Sequence, residues 1–220
     1  MDYTIMQSNA GLRAYARTQL AGKWFASAIV TLVYMLIFYI ANVLVSGIGA
    51  FIGFVFEFQN TDILSIFIKT VVSSAITGPV TVGYFWYFMY IARGEPTALQ
   101  NLFDGFRLFS KVFLVFFTQT LLIMLWTLLL FVPGIIKGCS YAMTFFILRD
   151  NPDIGTLEAI TQSRRMMNGH KMRYFLLQLS FMGWLLLCII SAGIGLLWLL
   201  PYAYLTTANF YEYLKQNRAS

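Results

Sequence analysis

Charge is scarce in this chain. Only 11% of its 220 residues are Asp, Glu, Lys or Arg, while 59% are apolar. A soluble domain carries about 25% charged residues, and a chain this short cannot bury so much apolar surface in water. A water-soluble helical bundle would need charged helix faces, and most of the long segments have none. Nine acidic residues are present. None sits centrally in an apolar run, and Glu57 and Glu212 fall near run boundaries. A proton-coupled transporter normally places a carboxylate there. The single histidine, His170, excludes HExxH and other multi-histidine metal sites. Cys139 and Cys188 form no CxxC pair, so neither a disulfide framework nor a metal site is expected, and both read as small apolar packing residues. There is no phosphate-binding glycine loop and no GxSxG elbow. No catalytic residue, cofactor or metal is expected. Basic residues do not interleave with aromatics as a base-stacking platform would, so nucleic acid is not an expected partner.

What the sequence has is apolar runs of spanning length, about 20 residues each. We expect an all-α membrane protein with six transmembrane helices, arranged as three hairpins with interfacial amphipathic helices. The whole of 1–220 reads as one integral membrane domain. The spans are expected at about 24–46, 71–92, 112–131, 134–148, 174–192 and 196–214. The first 23 residues lack the layout of a cleaved signal peptide, so the first span should be retained. Residues 47–58 stay apolar but Gly-rich, with Gly49 and Gly53 as a small-xxx-small pair.

Three polar stretches have amphipathic spacing. In 1–23, Leu12, Tyr15, Ala16, Gln19 and Leu20 share a face, while Arg13 and Arg17 lie on another and Lys23 ends the stretch. In 93–111, Leu99, Leu102, Phe103, Phe106 and Phe109 form the apolar side, opposite Gln100, Asp104 and Arg107. In 156–168, Thr156 is the expected N-cap, with Glu158 near the positive helix end and Arg164 and Arg165 toward the other. Asn168-Gly169 is the expected stop. We expect these helices to lie in the membrane interface. In the third, Ser163, Arg164 and Gly169 should pack on the ends of the spans, and Arg164 should satisfy exposed carbonyls. Arg165, Lys171 and Arg173 should face anionic lipid or acidic protein groups.

Prolines punctuate the spans. Pro133-Gly134 should make a tight outer turn, with Lys137 snorkelling just beyond it. A second turn is expected near 193–195, with Pro201 early in the last helix. Pro79, Pro133 and Pro201 precede Arg93, Arg149 and Lys215 by 14, 16 and 14 residues, which suggests three related hairpin units. The polar residues Asn42, Gln119, Gln178 and Asn209 are expected to hydrogen-bond between helices. If both termini are cytoplasmic, only Lys69 and Lys137 of the 15 Lys and Arg residues fall outside, a strong positive-inside bias.

Several of these stretches carry a family resemblance. The run Leu125 to Lys137 (LWTLLLFVPGIIK), the run Glu158 to Lys171 (EAITQSRRMMNGHK) and Ser180 to Trp184 resemble signatures of the bacterial family catalogued as domain of unknown function nine-seven-five. So do the two ends, Leu12-Arg13 through Gly22-Lys23-Trp24 and Pro201-Tyr202 through Phe210-Tyr211. The resemblance is weakest across 47–75. It implies a multi-pass protein of the bacterial cell membrane, of a kind common in Gram-positive bacteria, with no settled activity and no catalytic residues to transfer. Two functions lead, with a membrane enzyme third. One is a non-enzymatic protein that organises lipid, anionic lipid above all, or partner membrane proteins. The other is a transporter or exporter component for an apolar or amphiphilic solute, which the proline-broken helices would suit. The oligomeric state is not legible.

Overall fold

A computed structural model describes residues 5–56 and 63–217. The expected boundary residues Glu57, Asn60 and Asp62 lie outside the described residues, as does the end of the polar tail. Among the described residues the chain forms α-helices and 3-10 segments, with no strand.

After a 3-10 turn at Ile5–Gln7, α1 spans Asn9–Leu20. Its N-cap is Ser8, whose hydroxyl accepts the Gly11 N–H at 3.0 Å and so satisfies one free amide of the first turn. Leu12, Ala16 and Leu20 recur every fourth residue and are fully buried. The expected apolar face is therefore real, but it packs largely against the last helix of the bundle. Next come α2 (Trp24–Phe56) and α3 (Ile63–Arg93). At 33 residues, α2 is about 50 Å long. The Gly-rich stretch continues the helix, where Gly49 lies close to the Lys69 side chain of α3.

A 3-10 segment, Leu99–Leu108, leads without a break into α4 (Phe109–Leu129). On the apolar side expected for this segment, Leu99, Phe103, Phe106 and Phe109 are 43–45% exposed, which suits contact with lipid, while Leu102 is buried in the protein. The expected polar side is corrected at Asp104, which is buried. The cause lies in two glycines. A Cβ on Gly83 would sit 2.0 Å from the Leu102 carbonyl oxygen, and one on Gly105 would sit 2.1 Å from that of Pro79. Backbone therefore lies directly on backbone, which brings Asp104 inward. There Tyr90 Oη and Asn101 Nδ2 each donate to it at 2.9 Å, which compensates its burial.

The chain reverses at Leu130, which is extended (φ −158°, ψ 135°). Pro133 and Gly134 then lie in the first turn of α5 (Phe131–Tyr141), so the turn itself is one residue of extended chain just before them. Gly134 is buried against Thr127, where a Cβ would come within 2.3 Å of the hydroxyl, and this closeness lets α4 and α5 pair tightly. The expected continuous span 134–148 is broken. Helix α5 ends at Tyr141 and α6 runs over Thr144–Asp150. Ser163, from a helix twenty residues away, causes the break. The Met143 N–H donates to Ser163 Oγ at 3.1 Å, and Ser163 Oγ donates to the Ser140 carbonyl at 2.9 Å. A side chain inserted into the helical ladder is a recognised cause of helix kinking.

The last elements are α7 (Thr156–Met166), α8 (Lys171–Ile190) and α9 (Leu196–Asn217). The N-cap of α7 is Gly155, which offers no side chain, and Thr156 is the first helical residue. Gly169 turns the chain at φ +80°, and Ala192 and Gly193 do so before α9 at φ 51° and 86°.

Among the described residues, three segments are long and apolar enough to cross a membrane: Trp24–Phe51, Leu99–Leu129 and Lys171–Ile190. Their apolar side chains point outward, with Phe25, Leu128 and Ile190 about 80% exposed. Such outward apolar surface suits contact with lipid. The expected count of six is not met by this measure. Helices α3 and α9 lie inside the bundle and face other helices, so they carry Tyr, Thr, Gly and Asn where the outer helices carry Leu and Ile. The segment α5–α6 is interrupted.

Candidate functional site

The centre of the bundle is filled by rings. Tyr34 stacks on Tyr84 with centroids 4.2 Å apart, and Tyr204 meets the edge of both Tyr84 and Phe85 at 4.9 Å. Phe88 closes on Tyr84 at 5.0 Å. The Tyr84 hydroxyl is 2.9 Å from Thr31 Oγ1, so the buried phenol keeps a partner.

Around this core the interhelical hydrogen bonds fall largely on the expected residues. Gln119 donates to the Tyr141 carbonyl at 3.3 Å, Gln178 to Thr207 Oγ1 at 3.1 Å and Asn209 to Gln19 Oε1 at 2.7 Å. Asn42 differs, since it returns to Phe38 of its own helix.

At one end, α3, α6 and α9 bring their final charged residues together. Arg93 Nη2 lies 2.8 Å from Asp150 Oδ1 and 2.7 Å from Glu212 Oε1. Tyr211 Oη donates to Asp150 at 2.9 Å, and Lys215 also pairs with Asp150. Beside them Arg149 pairs with Glu95 at 2.8 Å and lies 4.1 Å over the Tyr90 ring. Burial pushes the Asp150 carboxyl upward, but hydrogen bonds from Lys215, Tyr211 and Arg93 outweigh it and hold the group below its ordinary value. Burial would likewise lower the Arg93 guanidinium, yet Glu212 and Asp150 raise it. Sequence reasoning missed this network. Its signal was present in part, because Arg93, Arg149 and Lys215 are the basic residues that follow the three prolines at similar spacing. A cavity of about 890 Å³ opens beside it, lined by Asp150, Glu158, Gln162, Arg165, Tyr211 and Lys215 among others.

A second cavity, about 820 Å³, lies between α1, α2, α8 and α9. Arg13 and Arg17 supply its charge, while Trp24, Trp184, Trp198 and Tyr202 supply most of its aromatic wall. Tyr202 meets Phe181 edge-on at 5.2 Å and Trp24 at 6.4 Å.

The other expected residues are dispersed. Lys23 is half-buried just before α2, and Lys171 is half-buried at the start of α8. Lys137 lies 4.4 Å over the Trp126 ring, a cation–π contact. Pro201 is buried within α9. Arg165 is exposed on the rim of the first cavity. Arg164 is exposed and has no hydrogen bond or ion pair among the described residues, so it caps no helix there. Arg173 is the folded-in arginine. It donates to the Met6 carbonyl at 2.6 Å and to Asn9 at 3.2 Å, and it lies 4.4 Å over the Tyr213 ring. The N-terminal 3-10 turn supplies the carbonyl acceptor and the start of α1 the amide acceptor, so Arg173 ties α8 to the N-terminal segment instead of facing phosphates.

The chain matches the family described as "Protein of unknown function (DUF975)" over residues 6–140 and again over 128–218. It belongs to that family. The two matched stretches together take in every element from α1 to α9. No curated protein and no solved structure matches the chain.

Proposed function

We propose that this family member crosses the bacterial cell membrane six times as three hairpins, with both termini cytoplasmic, and organises lipid or partner proteins without catalysing a reaction. The observation that carries this reading is the ring-filled centre at Tyr34, Tyr84, Phe85, Phe88 and Tyr204. A transporter needs a solute site near the middle of the membrane, between its repeats. Packed aromatics fill the space between α2, α3 and α9, which supports a role without a solute path.

The six-span topology draws on the pairings of α2 with α3, α4 with α5, and α8 with α9. It also places the ion network of Arg93, Asp150 and Lys215 on the side that holds most of the basic residues, where water and lipid phosphates are available. In this arrangement α3 and α9 are spans shielded from lipid, and α5 with α6 forms a kinked span.

A second reading, a transporter for an amphiphilic solute, is favoured by one feature. Both central helices contain proline, at Pro79 and Pro201, where a helix bends most readily. Flux separates the two. The full chain is reconstituted into vesicles carrying a tail-labelled fluorescent phospholipid and treated with dithionite. We expect the inner-leaflet half to stay protected, as in protein-free vesicles. Rapid loss of that half would favour transport over organisation.

A further inference from the structure

The second cavity joins two kinds of surface that rarely meet in a helix bundle. Arg13 and Arg17 stand one turn apart on α1 and both line it. Neither has a hydrogen bond or ion pair among the described residues, although Arg13 is half-buried. The rest of the wall is mostly apolar: Trp24, Trp184, Leu187, Trp198 and Leu199 line it, with Ser191 and Tyr202 as further polar groups. Trp184 and Leu187 stay more than half exposed. At about 820 Å³ the space lies within the roughly 300–1,000 Å³ of small-molecule sites.

We propose that this groove seats one anionic glycerophospholipid, its phosphate between Arg13 and Arg17 and an acyl chain along Trp24, Trp184 and Trp198. The proposal rests on the lipid-organising reading and gives it a defined ligand. Charge complementarity selects the occupant. Unpaired guanidiniums beside an apolar wall call for an anion that carries its own hydrocarbon, and arginine is suited to bidentate phosphate contact. Tryptophan favours the boundary between headgroup and chain. A neutral lipid would cover the wall and leave both cations without a net opposite charge.

The test uses the full chain in mild detergent with equal amounts of phosphatidylglycerol and phosphatidylcholine, and counts retained lipid by native mass spectrometry. We expect one retained phosphatidylglycerol, at a preference of roughly thirtyfold, the equivalent of two basic groups at about 1 kcal/mol each. Arg13→Gln with Arg17→Gln should abolish the preference. Arg107→Gln with Arg164→Gln removes equal charge from exposed positions outside the groove and should leave it intact. Leu187→Trp fills the groove without changing charge and should reduce retention of both lipids. Equal retention of the two lipids by the unaltered chain would overturn the proposal. So would equal loss in both arginine pairs, or a dimer that retains no lipid, which would assign the groove to a second copy. The dithionite barrier reads the broader function independently, so an intact barrier without lipid preference removes the groove alone.

Discussion

Arg93 at the end of α3 lies 2.8 Å from Asp150 at the end of α6, and the same guanidinium holds Glu212 of α9 at 2.7 Å. One arginine thus ties together the ends of three helices that are far apart in sequence. Its side chain is 21% exposed, and those of Asp150 and Glu212 are 11% and 10% exposed. Removing one partner from so sheltered a pair leaves the other charge uncompensated, at a cost of about 3–5 kcal/mol. Asp150→Asn should lower stability in detergent toward that range. Asp153→Asn, at an exposed carboxylate 3.9 Å from Lys111, should cost less than about 1 kcal/mol. Thermal unfolding of the two variants side by side checks this, and equal small effects would deny the network a structural role.

The same carboxylate gives a pH dependence. Its folded value is depressed, so its stabilisation is complete above the unfolded value of about 3.9. That stabilisation falls away as pH drops through the lower folded value. Stability measured from pH 6 downward should therefore decline below about pH 4, and Asp150→Asn should flatten part of that decline. An unchanged profile in the variant would assign the decline to other carboxylates.

Ser163 and Arg164 are neighbours with opposite expectations. Ser163→Ala leaves the Met143 N–H and the Ser140 carbonyl without the partner that now joins them, at about 1–3 kcal/mol for each buried group left unpaired. Arg164→Ala should stay within about 0.5 kcal/mol, as exposed positions usually do. A loss on Arg164→Ala larger than that on Ser163→Ala, read by thermal unfolding, would reverse the assignment.

The backbone contact between α3 and the 3-10 segment predicts a steep glycine dependence. Gly83→Ala and Gly105→Ala each place a Cβ within about 2 Å of a carbonyl oxygen, so both should cost more than about 3 kcal/mol or abolish folding. Gly183→Ala meets nothing within 4 Å and should be tolerated. Yield of monodisperse protein in detergent reads the contrast, and tolerance at Gly83 would show that the segment does not dock there.

Much of the helical layout was legible in local sequence, for local reasons. Apolar runs of spanning length and the turn near Gly193 are written in composition and in Gly, whereas the turn expected at Pro133-Gly134 falls earlier, at Leu130. The buried stripe of Leu12, Ala16 and Leu20 follows from helical period alone. What was not legible depends on residues distant in the chain. The break at 142–143 needs Ser163 to arrive from α7, and nothing near Tyr141 announces it. Asp104 reads as a solvated residue until Gly83 and Gly105 bring two backbones together. Arg164 and Arg173 look alike in sequence, and only the position of α1 makes Arg173 the anchored one. The charged cluster was visible as a spacing of prolines and basic residues, but its acids, Asp150 and Glu212, gain meaning only when α3, α6 and α9 converge. In the groove, Arg13, Arg17 and Tyr202 were legible singly, whereas Trp184 and Trp198 join them only through the approach of α8 and α9.

Cysteine accessibility distinguishes a six-span bundle with its ion network inside from any other arrangement. In a Cys139→Ala, Cys188→Ala background, single cysteines are placed at Val132, Ile194, Asn151 and Asn168. All four positions are exposed, unlike the buried Gly134. Intact cells are treated with a membrane-impermeant thiol reagent. We expect labelling at Val132→Cys and Ile194→Cys before permeabilisation, and at Asn151→Cys and Asn168→Cys only after it. Labelling of Asn151→Cys or Asn168→Cys from outside, or protection of Val132→Cys and Ile194→Cys in intact cells, would contradict the six-span bundle.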